Sequence, residues 1–124
     1  MRYLPSEDWT QEWDKHGPQL LNALSRSPTS ETQGDLFYWL NTGQARLWAG
    51  QNSSIVTLLI EDHVVIWLAG GQMAELQEMY EEVEKYYARL GATKVVVSGR
   101  PGWMRSFLRQ HKFCIKHVVM EKKL

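Results

Sequence analysis

The chain has 124 residues, room for one core and a single domain over residues 1–124. Fourteen Lys/Arg balance fourteen Asp/Glu, and the apolar fraction of 44% is ordinary for a globular protein. No apolar run approaches the roughly 18–20 residues that span a bilayer, the polar start MRYLPSEDW is unlike a signal peptide, and one cysteine, Cys114, excludes an internal disulfide. A cytoplasmic protein with no membrane segment is the expectation.

The charge is unevenly spread. Residues 1–88 hold five Lys/Arg against thirteen Asp/Glu, a net of −8, and residues 89–124 hold nine against one, a net of +8. The two parts can compensate on one body, or the basic third can face a phosphate ligand or an acidic partner. No basic run interleaved with aromatics marks a dedicated nucleic-acid module.

Residues 6–26 read as helical, with Ser6 as cap and Glu7 and Asp8 in the first turn. Trp9 and Trp13 share a face. Gly17-Pro18 is expected to break this segment and start a second piece carrying Leu20, Leu21 and Leu24. SRSPTS, Ser25 to Ser30, reads as a loop. Ser30 and Gln33 have capping-box spacing for a helix with Leu36, Phe37 and Leu40 on one face, ended by Gly43.

Three strands follow: Gln44–Ala49, Ile55–Ile60 and Val64–Ala69. Turns at Gly50–Ser54 and Glu61-Asp62-His63 would make them an antiparallel meander. Val64–Ala69 is apolar throughout, as a strand covered on both faces would be. The helix Gln72–Leu90 has a stripe at Met73, Leu76, Tyr80, Val83, Tyr87 and Leu90, with steps of three and four. Its glutamates, Glu75, Glu78, Glu81, Glu82 and Glu84, lie mostly off the stripe and read as a solvated face. Gly91 caps its end. Lys94–Ser98 is then a strand parallel to Val64–Ala69, because a helix separates the two. A short helix with Trp103, Phe107 and Leu108 inward and a last strand, Phe113–Glu121, complete a mixed α+β sheet with a central βαβ unit.

Most catalytic signatures are missing. His16, His63, His111 and His117 fall in four different elements without ligand spacing, so no metal site is expected. There is no G-x-S-x-G elbow, and Cys114 falls within a strand. Two strand-to-helix turns stand out: Ala69-Gly70-Gly71-Gln72 and Ser98-Gly99-Arg100-Pro101-Gly102-Trp103. Each places glycines at a helix start, where backbone N–H groups and the helix dipole attract anions. They end neighbouring parallel strands, the usual ligand position in such sheets. The plainer alternative is that the glycines serve tight turns.

From about Ala45 onward the chain resembles the GNAT acetyltransferase superfamily, and more narrowly the small GNAT-like proteins of phages and prophages. The resembling features are Leu47-Trp48, VVIWLAGG before the long helix, ARLGATKVVVSGRPGWMRSFLRQHKF and the closing EKKL. Ala88 to Phe113 is the most specific part, and Thr29 to Trp48 fits the phage group. The resemblance implies a GNAT-like mixed sheet whose two parallel strands splay around acetyl-CoA or CoA. The pyrophosphate would lie on Leu68, Ala69, Gly70, Gly71 and Gln72, with Arg100 beside it. The chain departs from active members in three places. The usual Q/R-x-x-G-x-G/A loop is cut to Gly70-Gly71, Ser98-Gly99-Arg100 stands where an asparagine is common, and Leu108 stands where many members carry the tyrosine that protonates the thiolate. A general acid needs a titratable group. The reading is therefore a domain with a degenerate acyl-CoA site and no bound cofactor. It would have a structural or interaction role in the bacterial host cytoplasm or the virion, through a phage-particle protein or self-association. The alternatives are an N-acetyltransferase with a minimal Gly-Gly site, and a phosphate- or nucleic-acid-binding protein.

Overall fold

A computed structural model describes residues 3–25 and 31–97. Its elements are α1 (Trp9–Ser25), α2 (Gln33–Thr42), β1 (Ala45–Ala49), β2 (Ser54–Ile60), β3 (His63–Gly70), α3 (Met73–Arg89) and β4 (Lys94–Val97). The strands form one sheet in the order β1-β2-β3-β4. The first three are an antiparallel meander, and β4 runs parallel to β3 after the α3 crossover. The α+β class, the meander and the parallel pair were all expected from the sequence.

The sheet separates two cores. On one face α3 places Leu76, Met79, Tyr80, Val83 and Tyr87 against Trp48, Ile55, Val64 and Ile66. On the other, Leu20 of α1 and Leu36 and Leu40 of α2 meet Leu47, Val56, Leu58, Trp67 and Leu68. Being covered on both sides is why β3 is apolar from Val64 to Ala69. One irregularity redistributes its side chains. Thr57 pairs with Ile66 and Val56 with Leu68, which leaves Trp67 as an extra residue on β3. Across this bulge the alternation slips, so Trp67 and Leu68 both face the α1–α2 core. There the Trp67 ring meets Trp39 edge-on, with centroids 5.1 Å apart.

Several local expectations are corrected. α1 runs unbroken through Gly17-Pro18. Pro18 is exposed, so water can satisfy the carbonyl that loses its N–H, while Gly17 makes room for the Trp13 indole, which would lie 2.7 Å from a Cβ there. Asp8 rather than Ser6 caps the helix, its carboxylate accepting the Thr10 N–H at 3.0 Å. The capping box of α2 is Thr32/Asp35, not Ser30/Gln33. Thr32 Oγ1 accepts from the Asp35 N–H at 3.2 Å, and Asp35 accepts from the Thr32 N–H at 2.8 Å. Ser30 lies outside the described residues. His63 pairs with Ile60 as the first residue of β3, so the hairpin turn is Glu61-Asp62 alone. Leu90 is 60% exposed, and Met79, not on the predicted stripe, is fully buried in its place. Gly43 and Gly91 take the left-handed conformation expected of helix ends.

The N-terminal residues reinforce the β1 edge. Pro5 bridges Trp48, the Ser6 N–H donates to the Leu47 carbonyl at 2.8 Å, and Tyr3 is buried in the α3 core.

Candidate functional site

The turn from β3 into α3 is where the sequence placed the anion site. Leu68 is buried and points into the α1–α2 core, so only its backbone can serve a ligand. Ala69 is half-buried against the α3 core. Gly70 lies against α1: a Cβ there would come within 2.5 Å of Gln19 Cγ. Gly71 has φ +124 and lies against Ser53, whose Cα would be 2.6 Å from a Cβ. Both glycines are therefore accounted for by close packing of the protein on itself. Gln72 is the N-cap residue of α3, and its side chain makes no capping bond. Arg100, with Arg105, Trp103, Leu108, His111, Phe113, Cys114 and His117, lies outside the described residues, as do the final helix and strand.

What packs on the glycine turn is the turn between β1 and β2, residues 50–53. It is closed by a 2.8 Å bond from the Gly50 N–H to the Ser53 carbonyl. Three side chains fasten it. Ser53 Oγ, fully buried, accepts the Gln72 N–H at 2.9 Å. Gln19 donates to the Asn52 carbonyl at 3.2 Å and accepts from the Ser54 hydroxyl at 2.6 Å. Glu75, in the first turn of α3, accepts the Gln51 and Asn52 N–H groups at 3.0 and 2.9 Å, and the Tyr3 hydroxyl at 3.4 Å. Burial pushes the Glu75 carboxyl up, but the Asn52 amide, the Ser53 hydroxyl and the Gln51 amide outweigh it and hold Glu75 below its ordinary range. Glu75 is thus a structural clasp rather than one of several solvated acids. Its spacing carried no sign of this, because the donors come from a turn 23–24 residues earlier.

His16 lies one helical turn before Gln19. It is 2% exposed, and its Nε2 has no hydrogen-bond partner among the described residues. Burial, and secondarily Lys15, hold it below the ordinary imidazole range, against the opposing pull of Glu12 and Glu75. The folded state therefore binds fewer protons at His16 than the unfolded chain does. Stability from this group is complete above about pH 6.5 and declines as the pH falls below that value. Thermal unfolding between pH 7.5 and 5.5 should show the melting temperature falling, and His16→Gln should flatten that slope. An unchanged slope in the variant would remove His16 from the account.

Tyr86 and Tyr87 lie in the last turn of α3. The Tyr87 hydroxyl is buried on Thr57 at 2.6 Å, and burial raises its pKa. The Tyr86 ring stacks edge-on against Trp48 and Tyr87.

The parallel ladder runs from the His63–Lys94 pair to the Ile66–Val97 pair, Val97 being the last described residue. No family model and no curated protein matches the chain. Two solved structures share its fold. Both are crystal structures of TTHA1254 from Thermus thermophilus. One, carrying an isoleucine-to-methionine mutation, superposes with a TM-score of 0.65 at 16% identity, over 100% of this chain and 97% of that one. The wild type gives 0.59 at 17%, with the same coverage. At such identities the likeness is one of fold alone. No helix among the described residues is long and apolar enough to cross a membrane.

Proposed function

We propose that the chain is a GNAT-like domain of phage or prophage origin whose acyl-CoA turn is closed by its own side chains, and that it works through protein contacts rather than acyl transfer. The observation that carries this reading is the filling of the β3–α3 turn. Gln19 and Ser53 lie against the two glycines, and the Glu75 carboxylate lies in the first turn of the helix that would face a pyrophosphate. A pyrophosphate there would share the first turn of α3 with a like charge. Each such pair costs about 1 kcal/mol at 4 Å in water and about 4 kcal/mol at a protein surface. The helix dipole, worth about 0.3–1 kcal/mol at an exposed end, does not offset that.

The N-acetyltransferase reading has one specific observation in its favour. Gly71 and Gln72 are exposed, and the Gln72 side chain leaves the α3 N-terminus without a side-chain cap. A thermal-shift titration with CoA and acetyl-CoA separates the two. Wild-type protein should show no shift at millimolar ligand. A ligand present at 100 times its dissociation constant would add about 2.7 kcal/mol, a rise of several degrees, and that result would favour the enzyme. Light scattering tests the self-association form of the interaction role, and a strictly monomeric protein would leave only a foreign partner.

A further inference from the structure

We propose that the consecutive Gln51 and Asn52 amides form an anion nest, that Glu75 is its built-in plug, and that removing the Glu75 charge opens the nest to a phosphate-class anion. This rests on the reading of the β3–α3 turn as closed and names what closes it. Two successive backbone N–H groups converging on one carboxylate make the arrangement that binds phosphates elsewhere. Here they reach separate oxygens of Glu75, at 3.0 and 2.9 Å. Both donor residues are exposed, so a solute anion can reach them once the plug is gone. The framework does not depend on the plug alone. Gln19 holds the Asn52 carbonyl and the Ser54 hydroxyl, and Ser53 holds Gln72. Loss of the carboxylate would leave the two amide donors without an acceptor, an arrangement that favours an incoming anion.

The probe is inorganic pyrophosphate at constant ionic strength, read from the Gln51 and Asn52 amide resonances. Glu75→Ala should give saturable shifts at those two amides, with an affinity at least about tenfold above wild type, the size expected from removing one like charge. Glu81→Ala, which removes an exposed acid of the same helix that holds no part of the nest, should behave like wild type. Should Glu75→Ala fail to fold, Glu75→Ser removes the charge and is too short to reach the two amides, and it is held to the same criterion. Absence of saturable shifts in the folded variant would overturn the proposal, as would equal binding by wild type or by Glu81→Ala. CoA binding by the wild type would instead overturn the closed-turn reading, and the comparison of variants with pyrophosphate would still stand or fall by itself.

Discussion

Gly71→Ala is expected to destabilise the protein by about 2–6 kcal/mol, through two effects that add. The first is backbone strain. Gly71 has φ +124, a conformation that L side chains rarely adopt, and holding alanine there costs about 1–3 kcal/mol. The second is steric. The added methyl would lie 2.6 Å from Ser53 Cα, a backbone atom that cannot rotate away, and overpacking of this kind costs about 1–3 kcal/mol. Gly43 supplies the control. It too is left-handed, at φ +81, but a Cβ there meets nothing within 4 Å. Gly43→Ala should therefore cost only the strain, about 1 kcal/mol. Urea unfolding of both variants measures the difference. Equal losses would mean that the turn from β3 to α3 can move away from Ser53, and the close packing on which the closed-site reading depends would not be rigid.

The contrast shows what a sequence can carry about this turn. Gly70-Gly71 at the end of an apolar strand reads equally well as a ligand loop and as a packing joint. Both demand a missing Cβ, and only the identity of the neighbour decides between them. That neighbour, Ser53, is distant in sequence and belongs to a turn with no pattern of its own. Elements set by their own periodicity were legible: the long α3, the meander, and the parallel β3–β4 pair that follows from a helical crossover. Elements decided by tertiary contact were not. Pro18 is a helix breaker by local rule, yet an exposed position and the Trp13 indole over Gly17 let α1 continue. The Ser30/Gln33 spacing matches a capping box, but Thr32/Asp35, two residues on, also fits one when Asp is admitted at its third position. The three-four stripe holds from Leu76 to Tyr87, but it includes Leu90, which lies past the helix end at Arg89, and omits Met79, because the buried face is wider than one three-four row. In sequence Trp67 is one more buried strand residue. The bulge that turns it and Leu68 to the same face leaves no mark in a run that is apolar on both sides.

A polar relay in the α3 core predicts the second large effect. Trp48 Nε1 donates to Thr57 Oγ1 at 3.2 Å, and Thr57 Oγ1 shares a hydrogen bond with the Tyr87 hydroxyl at 2.6 Å. All three residues are buried, so none can turn to water when a partner is lost. Thr57→Val keeps the shape and removes the shared oxygen, and should cost about 1–3 kcal/mol, the range for leaving a buried polar group unsatisfied. Tyr87→Phe should cost less, because Thr57 still accepts from Trp48, and Thr57→Ser should retain most of the stability, because the oxygen remains. The double variant Thr57→Val/Tyr87→Phe should fall short of the sum of the two single losses, since the second change removes the group that the first left unpaired. Strict additivity would mean that the two hydroxyls do not depend on each other. The position of the relay explains why it is worth testing. Thr57 is the β2 residue beside the bulge, paired with Ile66, and through Tyr87 it ties the last turns of α3 to the strand where the alternation slips. A methyl in place of the hydroxyl would leave the sheet face apolar but remove the directional contacts that join α3 to Thr57 beside the bulge.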